Sequence, residues 1–229
     1  MPATRVLIVD SHPIIADSLS AGLADRDAFS AMACRTYTEV PACMDAFHPE
    51  IIVINIHLET VQEGLEACRE ITQLPGDQAI VMIAPRSLVE TATLALDALE
   101  AGADGVLISE DLDLKKLVSA LQDLEAGRSL LDPDHLRDAL ALRSTAAAPS
   151  SGIPLDLSDL TPREQDVADL IVAGSSTNEI AEQLSISERT VQNHISNLLT
   201  KLNVRTRAEA VARLYMWRHA QAQAYRPPA

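Results

Sequence analysis

The side chains best suited to recognition chemistry lie on one face of a helix that periodicity predicts over residues 188–202. After Glu188 this face carries cations, amides and hydroxyls and no carboxylate: Arg189, Gln192, Asn193, Ser196, Asn197, Thr200 and Lys201. Such groups hydrogen-bond to base edges and phosphates in the major groove of DNA. An ordinary solvated helix face usually mixes in Glu and Asp. The pattern therefore favours a double-stranded DNA partner, although helix–turn–helix geometry also occurs in other proteins.

Several further helices must position that face. Its apolar stripe faces a preceding helix across a tight link, Ser185-Ile186-Ser187. Three segments match the capping box, in which Ser or Thr precedes Glu by three residues at a helix start: TPRE (161–164), STNE (176–179) and TRAE (206–209). Each match opens an apolar-periodic segment, so the C-terminal region is predicted to be a small all-α domain.

Five short apolar runs alternate with helical periodicity in the first part of the chain: VLIV (6–9), AMAC (31–34), IIVI (51–54), AIVMI (79–83) and GVLI (105–108). This alternation predicts βαβ units and a parallel sheet. Five units in about 125 residues make a doubly wound α/β domain, whose ligand crevice lies at the carboxyl ends of the strands. Asn55 follows the third run, so a polar amide is expected at that crevice.

Composition and charge limit the function classes. The chain has 229 residues, 47% of them hydrophobic, and a net charge of −15. Residues 1–130 contain 8 basic and 21 acidic residues, or −13, whereas residues 186–229 contain 7 basic and 2 acidic residues, or +5. Only the basic end suits phosphates. The three cysteines lack metal-ligand spacing and no apolar run approaches a membrane span of roughly 18 residues, which predicts no metal, no cofactor, no membrane contact and a cytoplasmic location.

The order of these patterns predicts three regions. Residues 1–128 are expected to form the α/β domain, and residues 157–229 the all-α domain. Residues 129–156 are expected to form a helical and flexible linker. The linker prediction depends on STAAAPSSGIP (144–154), a run of small residues with Pro and Gly.

The segment from Leu160 to Val211 resembles the LuxR-type helix–turn–helix domain along its whole length. It carries the Leu-Thr-x-Arg-Glu opening, the Ile-Ala-x-x-Leu, Ser-x-x-Thr-Val-x-x-His and Lys-Leu elements, and the Arg-x-x-Ala-Val ending. The resemblance implies that residues 188–202 are the recognition helix. One departure is Gln192, where the family most often has Lys. With the polar face included, the expected DNA-facing residues are Arg189, Thr190, Val191, Gln192, Asn193, Asn197 and Lys201, and the expected dimer contacts are Val211, Leu214 and Tyr215.

The first part of the chain resembles the receiver domain of NarL/FixJ response regulators, which implies a flavodoxin-like (βα)5 sheet. RVLIVDSHPIIADSL (5–19), PEIIVINIHL (49–58) and AGADGVLIS (101–109) carry this resemblance. In such receivers an aspartate accepts a phosphoryl group, an acidic pair helps to hold Mg²⁺, and a hydroxyl and a lysine bind the phosphate. The matching residues are Asp10 and Ser11 for the acidic pair, Asn55 for the acceptor, Ala84 for the hydroxyl and Ser109 for the lysine.

These residues predict that the receiver is not phosphorylated on aspartate. A carboxamide is a poor nucleophile, and a single carboxylate is a poor Mg²⁺ site. Without a hydroxyl and an ammonium, nothing would neutralise a phosphate that did arrive. His57 and Glu59 are nearby nucleophile candidates, but no assembled site is predicted around them.

The chain is therefore expected to be a DNA-binding transcription regulator and a homodimer, whose receiver responds to a protein partner or a small ligand. It is not expected to be an enzyme, because its first half has no glycine-rich phosphate loop and no nucleophile elbow. Two alternatives remain. One is an interaction protein that sequesters a partner regulator or kinase without binding DNA. The other is a phosphorylation-switched regulator that uses an unexpected residue.

Overall fold

The computed structural model describes residues 3–56, 60–74, 78–89, 94–128, 130 and 157–224. Within these ranges, no helix combines the length and the apolar character needed to cross a membrane. The chain divides into two compact units, Met1–Gln122 and Asp123–Ala229, and each has its own hydrophobic core. The linker predicted for residues 129–156 lies outside the described residues except for Leu130. The predicted domain boundaries therefore stay predictions.

The first unit is built on a five-stranded parallel sheet. Its strands are β1 (Thr4–Val9), β2 (Phe29–Cys34), β3 (Ile51–Asn55), β4 (Ala79–Ala84) and β5 (Gly105–Ile108). Their order across the sheet is β2-β1-β3-β4-β5, and every neighbouring pair is parallel. This is the doubly wound, flavodoxin-like order, in which a crevice opens between β1 and β3. The predicted fold class is confirmed.

The strands are mainly apolar, as expected when helices cover both faces of an all-parallel sheet. Val6–Val9 and Ile51–Ile54 are at most 3% exposed. The described helices of this part of the chain are α1 (Pro13–Ala24), α2 (Val40–Phe47), α3 (Val61–Ile71), α4 (Arg86–Val89), α5 (Leu94–Glu100) and α6 (Leu114–Glu125).

The register of the sheet brings two polar residues together. Val9 of β1 pairs with Ile54 of β3, so the residues that follow, Asp10 and Asn55, lie at the same edge. The first turn of α3 lies close to this edge. A Cβ on Gly64 would lie 2.7 Å from the Ile56 carbonyl oxygen, so glycine permits the close approach of α3 to the end of β3.

The second unit is helical in its described residues. Its remaining helices are α7 (Pro162–Val172), α8 (Thr177–Leu184), α9 (Glu188–Leu202) and α10 (Arg207–Ala224). Complete capping boxes open α7 and α8, as predicted. The third match differs in one contact. Thr206 Oγ1 accepts from the Glu209 N–H at 3.1 Å, but the Glu209 carboxylate accepts from the Arg205 N–H at 2.9 Å, one residue earlier than in a capping box.

The three cysteines are unpaired and lie in the first unit. Cys34 and Cys68 are buried, whereas Cys43 is half-buried. Burial raises the pKa of Cys34 and of Cys68 to about 12. Both buried thiols are therefore protonated and unreactive at neutral pH in the folded protein.

Candidate nucleic-acid interface and sheet-edge crevice

The crevice at the carboxyl ends of β1 and β3 centres on the Asp10 carboxylate, which is 1% exposed. Asn55 Nδ2 donates to Asp10 Oδ2 at 2.8 Å. The His12 backbone N–H donates to Asp10 Oδ1 at 2.8 Å, and His12 Nδ1 lies 3.2 Å from the same oxygen. Both oxygens of the carboxylate are therefore engaged by protein groups.

The Asn55 amide complements the Asp10 carboxylate, whereas a second carboxylate at this distance would repel it. A buried carboxylate is stable only when such donors replace the water it has lost. Among the residues that the structure describes, no group of three or more His, Cys, Asp or Glu side chains could hold a metal ion. The donors from Asn55 and His12 stabilise the Asp10 charge through hydrogen bonds.

The loops that follow β4 and β5 are joined by Arg86. Its Nη2 donates to Asp111 Oδ2 at 2.5 Å, and its backbone N–H donates to Glu110 Oε2 at 2.8 Å. The latter hydrogen bond is the largest cause of a lowered pKa at Glu110. Ser109 Oγ donates to the same Glu110 oxygen at 3.1 Å. This rim of the crevice therefore contains an internal ion pair that sequence reasoning missed.

The five residues matched to a phosphorylation site all lie at or just beyond strand ends. Asp10 and Ser11 follow β1, Asn55 ends β3, Ala84 ends β4 and Ser109 follows β5. The fold brings them to one edge of the sheet. The other nucleophile candidates of this region, His57 and Glu59, lie outside the described residues.

The polar face of α9 is exposed in the second unit. Ser185, with φ of 53°, turns the chain sharply after α8, and Ser187 caps α9 by accepting from the Thr190 N–H at 3.1 Å. The exposed residues on this face include Arg189, Gln192, Asn193, Ser196, Asn197 and Thr200. These side chains can donate to and accept from base edges.

Two of the predicted DNA-facing residues are placed differently. Val191 is 0% exposed and packs in the core of the second unit, contrary to the expectation that it faces DNA. It lies seven residues before Leu198 on the apolar stripe, and that stripe faces inward. Thr190 is half-buried, and its Oγ1 lies 2.8 Å from Ser187 Oγ.

Lys201 is a third residue that was predicted to contact DNA, and in the structure its ammonium group forms hydrogen bonds within the protein. Its Nζ donates to Glu164 Oε2 at 2.7 Å and to the Asp159 carbonyl oxygen at 3.0 Å. Glu164 is 4% exposed. Sequence reasoning places Glu164 in a capping box, but a helix-start motif contains no signal for an ion pair with a residue 37 positions away.

The predicted dimer contacts on α10 are largely used inside the unit. Val211 and Leu214 are 6% and 1% exposed and belong to the second core, contrary to their assignment as dimer contacts. The reason is that α10 packs on α7 through its apolar side. Tyr215 is half-buried.

Two arginines hold the start of α8, and the sequence did not predict either of these contacts. Arg128 Nη2 pairs with Glu179 at 2.9 Å. The pKa of Glu179 is lowered to about 2, chiefly by the hydrogen bond from the Ser176 N–H and next by the hydrogen bond from Arg128. Arg207 donates to the Ser175 carbonyl oxygen, and burial lowers the pKa of Arg207 to about 10. These contacts fix the N-terminal end of α8.

Comparison with known proteins gives two domain matches and full-length relatives. Residues 6–122 match the response regulator receiver domain, and residues 158–214 match the LuxR family of bacterial regulatory proteins. The DNA-binding transcriptional activator DevR/DosR of Mycobacterium tuberculosis is 30% identical over 207 residues, which cover 90% of this chain and 91% of that protein. The nitrate/nitrite response regulator protein NarL of Escherichia coli is 27% identical, with 96% of each chain covered. These relatives are transcriptional regulators and not enzymes.

The solved structures include a similar fold. An RcsB response regulator from Salmonella typhimurium has a TM-score of 0.51 at 17% identity, and the match covers 94% of this chain and 100% of that one. At this identity the likeness concerns the fold alone. The domain matches and the full-length relatives go further: the chain belongs to the NarL/FixJ response regulators, and it is a DNA-binding transcriptional regulator with a receiver domain and a LuxR-type helix–turn–helix domain.

Proposed function

We propose that this response regulator binds specific DNA as a homodimer and that its receiver is not switched by aspartate phosphorylation. The observation that carries the proposal is the hydrogen bond from Asn55 Nδ2 to Asp10 Oδ2, where the family resemblance expects a nucleophilic carboxylate. In this proposal the receiver acts through dimerisation, a protein partner or a small ligand.

Asn55 is chemically unsuited to accept a phosphoryl group. The lone pair of its amide nitrogen is delocalised, and its oxygen carries no full charge. The same amide already donates to Asp10 Oδ2, so a Mg²⁺ ion at Asp10 would have to displace this donor. Mg²⁺ gives up its water reluctantly and favours sites with more than one carboxylate. Both steps of the family's phosphorylation chemistry are thereby disfavoured.

The opposite rim of the crevice offers little to a transferred phosphate. Ala84 has no hydroxyl and Ser109 has no ammonium group. The Arg86 guanidinium on this rim is paired with Asp111, so a phosphate would compete with a carboxylate for it. An arginine that is already paired and an alanine and a serine in place of hydroxyl and ammonium groups stabilise the charge of an acyl phosphate poorly.

We assign DNA recognition to the exposed polar face of α9. Asn193 and Asn197 carry amides that can bind adenine through two hydrogen bonds, and the exposed cation of Arg189 can pair with a phosphate. Gln192 supplies an amide where the family most often has a cation, which favours a base contact over a phosphate contact. The buried Val191 is not included in this face.

Input through a protein contact is supported by an apolar surface on α1. Ile14 is 82% exposed and Ile15 is 43% exposed. They directly follow the loop in which the His12 N–H binds Asp10, so the surface adjoins the crevice. The partner that we propose for it is a second copy of this chain, since a homodimer presents two α9 helices to two half-sites of DNA.

Incubation with acetyl phosphate and Mg²⁺, followed by intact-mass measurement, tests the receiver. We expect an unchanged mass, whereas a receiver with an intact acceptor aspartate, treated in parallel, gains one phosphate. A stoichiometric gain of one phosphate by this chain would contradict the proposal and would favour a regulator that uses an unexpected residue. Peptide mapping would then locate that residue.

Fluorescence anisotropy of the untreated full-length protein, on duplexes selected from the native genome, tests DNA binding. We expect specific binding without a phosphate donor, and we expect Asn193→Ala to weaken it by about 1–3 kcal/mol, the value of a good base contact. Gln62→Ala, which truncates an exposed amide on α3, is the matched control and should bind as the wild type does. If the protein binds no genomic duplex specifically, the result favours the alternative of an interaction protein that does not bind DNA.

A further inference from the structure

We propose that Lys201 is a positioning residue, which clamps the recognition helix α9 to α7 through Glu164, and that its ammonium group does not contact DNA. The proposal rests on DNA binding by the exposed face of α9. It replaces the sequence-based expectation that Lys201 faces DNA, and it assigns a second role to the Leu-Thr-x-Arg-Glu segment beyond helix capping.

Three donors converge on one carboxylate oxygen. Glu164 Oε2 accepts from the Thr161 N–H at 2.8 Å, from Thr161 Oγ1 at 2.9 Å and from Lys201 Nζ at 2.7 Å. Lys201 Nζ also donates to the Asp159 carbonyl oxygen at 3.0 Å. An ammonium group has three donors, so two of the three are used inside the protein.

Burial makes this contact hard to exchange for a DNA phosphate. Glu164 is 4% exposed, whereas the Lys201 side chain is 35% exposed. Burial pushes the pKa of Glu164 upward, but the hydrogen bonds from Lys201 and Thr161 outweigh it, and the pKa lies below its ordinary value. If Lys201 turned to a phosphate, the buried carboxylate would lose its cation, and an unpaired buried charge is strongly unfavourable.

The place of Lys201 in the last turn of α9 explains what the clamp does. Val191 and Leu198 hold the inner side of α9 in the core, and the ion pair ties the C-terminal end of α9 to the first turn of α7. Asn193 and Asn197 lie on the same helix, so a change in its tilt moves their amides relative to the bases. A recognition site must be held within about 0.5 Å and 10–20° by its supporting contacts. The clamp therefore preserves sequence discrimination.

The test uses full-length variants in fluorescence anisotropy on the genome-selected duplex and on an unrelated duplex, each at several salt concentrations. Lys201→Met and Glu164→Gln remove the clamp from its two sides, and Lys201→Arg keeps the cation. Arg189→Gln is the matched control, because it removes an exposed cation of the same helix. The thermal unfolding temperature of each variant is measured as well, so that DNA affinities are compared only at temperatures at which the variant is folded.

We expect Lys201→Met and Glu164→Gln each to bind the selected duplex about tenfold more weakly, the effect of losing one charged hydrogen bond. Binding to the unrelated duplex and the slope of log affinity against log salt should stay unchanged. The double variant should lose no more than either single variant, because both remove the same contact. Lys201→Arg should restore most of the affinity, and Arg189→Gln should reduce the slope by about one unit.

The opposite pattern overturns the proposal. If Lys201→Met reduces the salt slope by about one unit while Glu164→Gln binds as tightly as the wild type or more tightly, Lys201 is a phosphate contact. A loss of unfolding temperature with unchanged affinity of the folded protein would leave only a structural role and would also overturn it. If the wild type itself binds no DNA, the DNA-binding function is refuted. This outcome differs from failure of the clamp proposal, because the wild type and all variants then fail to bind alike.

A second measurement observes Lys201 in the wild-type protein. The ammonium signal of Lys201 in the wild type can be observed by lysine side-chain NMR and assigned by its loss in Lys201→Arg. We expect slow hydrogen exchange in the free protein and no change on addition of the selected duplex. A hydrogen-bond coupling between Lys201 Nζ and a DNA phosphorus atom would overturn the proposal.

Discussion

Asn55 donates a hydrogen bond to the buried Asp10 carboxylate, and this contact predicts the effect of restoring an aspartate. In Asn55→Asp, Asp10 loses a donor and faces a second carboxylate. We expect the free energy of unfolding at pH 7 to fall by about 1–3 kcal/mol. Mg²⁺ should restore part of the loss, because it binds paired carboxylates. Urea denaturation with and without Mg²⁺ measures both effects.

Asn55→Ala separates the lost donor from the added charge. It should also destabilise the protein, but its free energy of unfolding should not respond to Mg²⁺. An Asn55→Asp protein as stable as the wild type without Mg²⁺ would show that the contact with Asp10 contributes little.

Glu179 gives a pH dependence with a defined sign. Its pKa is lowered from 4.5 to about 2 by the Ser176 N–H and by Arg128. Because the folded-state pKa is below the unfolded-state pKa, the contribution to stability is fully present above about pH 4.5 and is lost as the pH falls toward 2. Carboxyl NMR titration of Glu179 in the folded protein checks this value.

Glu179→Gln keeps a side chain that can serve the capping box but cannot titrate. It should therefore flatten the part of the acid-unfolding curve between about pH 4.5 and 2. A midpoint for Glu179 near 4.5 in the wild type would mean that the pair with Arg128 does not persist in solution.

At the scale of elements, two helical glycines make a matched pair. A Cβ on Gly64 of α3 would lie 2.7 Å from the Ile56 backbone oxygen, whereas a Cβ on Gly22 of α1 would meet the Leu114 side chain at 2.8 Å. A side chain can move aside more easily than backbone. We expect Gly64→Ala to destabilise the first unit by about 1–3 kcal/mol and Gly22→Ala to be nearly neutral, because alanine favours the helix. Urea denaturation of both variants measures the two changes in the free energy of unfolding. Equal changes would contradict the conclusion that Gly64 is needed for the close approach of α3 to the end of β3.

The exposed surface of α1 gives a prediction about association. Ile14→Asp places a charge at a residue that is 82% exposed, so the free energy of unfolding should stay within about 0.5 kcal/mol of the wild type. The dissociation constant of the homodimer should rise. Sedimentation analysis measures it, with Ala24→Asp at the other end of α1 as the control. An unchanged dimer would move the interface away from Ile14.

Much of the element structure could be predicted because it depends on local sequence. The five apolar runs became five strands, and the TPRE and STNE segments start helices with complete capping boxes. The parallel pairing of the strands followed from their alternation with helices, and the flavodoxin-like order was implied by the resemblance to receiver domains. Register then placed Asp10 and Asn55 at one edge, without any contact having to be known in advance.

The contacts that escaped prediction join residues far apart in sequence. Lys201 looks like a free cation on a polar helix face, and only the packing of α9 on α7 brings it to Glu164. Arg86 reaches Asp111 in the same way, between two loops. Val191 belonged to both an apolar stripe and a family motif, and core packing decided between them.

At the scale of the whole molecule, the sequence-level charge distribution accounts for an acidic protein that binds DNA. Residues 1–130 carry −13 and residues 186–229 carry +5. The cations that suit phosphates are concentrated in residues 186–229, so this stretch governs the contact with DNA phosphates. The acidic part contributes mainly to solubility and to the rate of approach.

The two buried thiols allow the rate of receiver opening to be measured without an added tag. Cys34 and Cys68, with pKa values of about 12, can be alkylated only when the receiver opens, and the second unit contains no cysteine. Pulse alkylation with mass detection should therefore report opening of the receiver alone, in an untagged full-length protein. Labelling of both thiols as fast as in urea would show that the receiver is open under native conditions. A ligand or second copy that stabilises the receiver would be recognised by slower labelling, before its identity or its binding site is known.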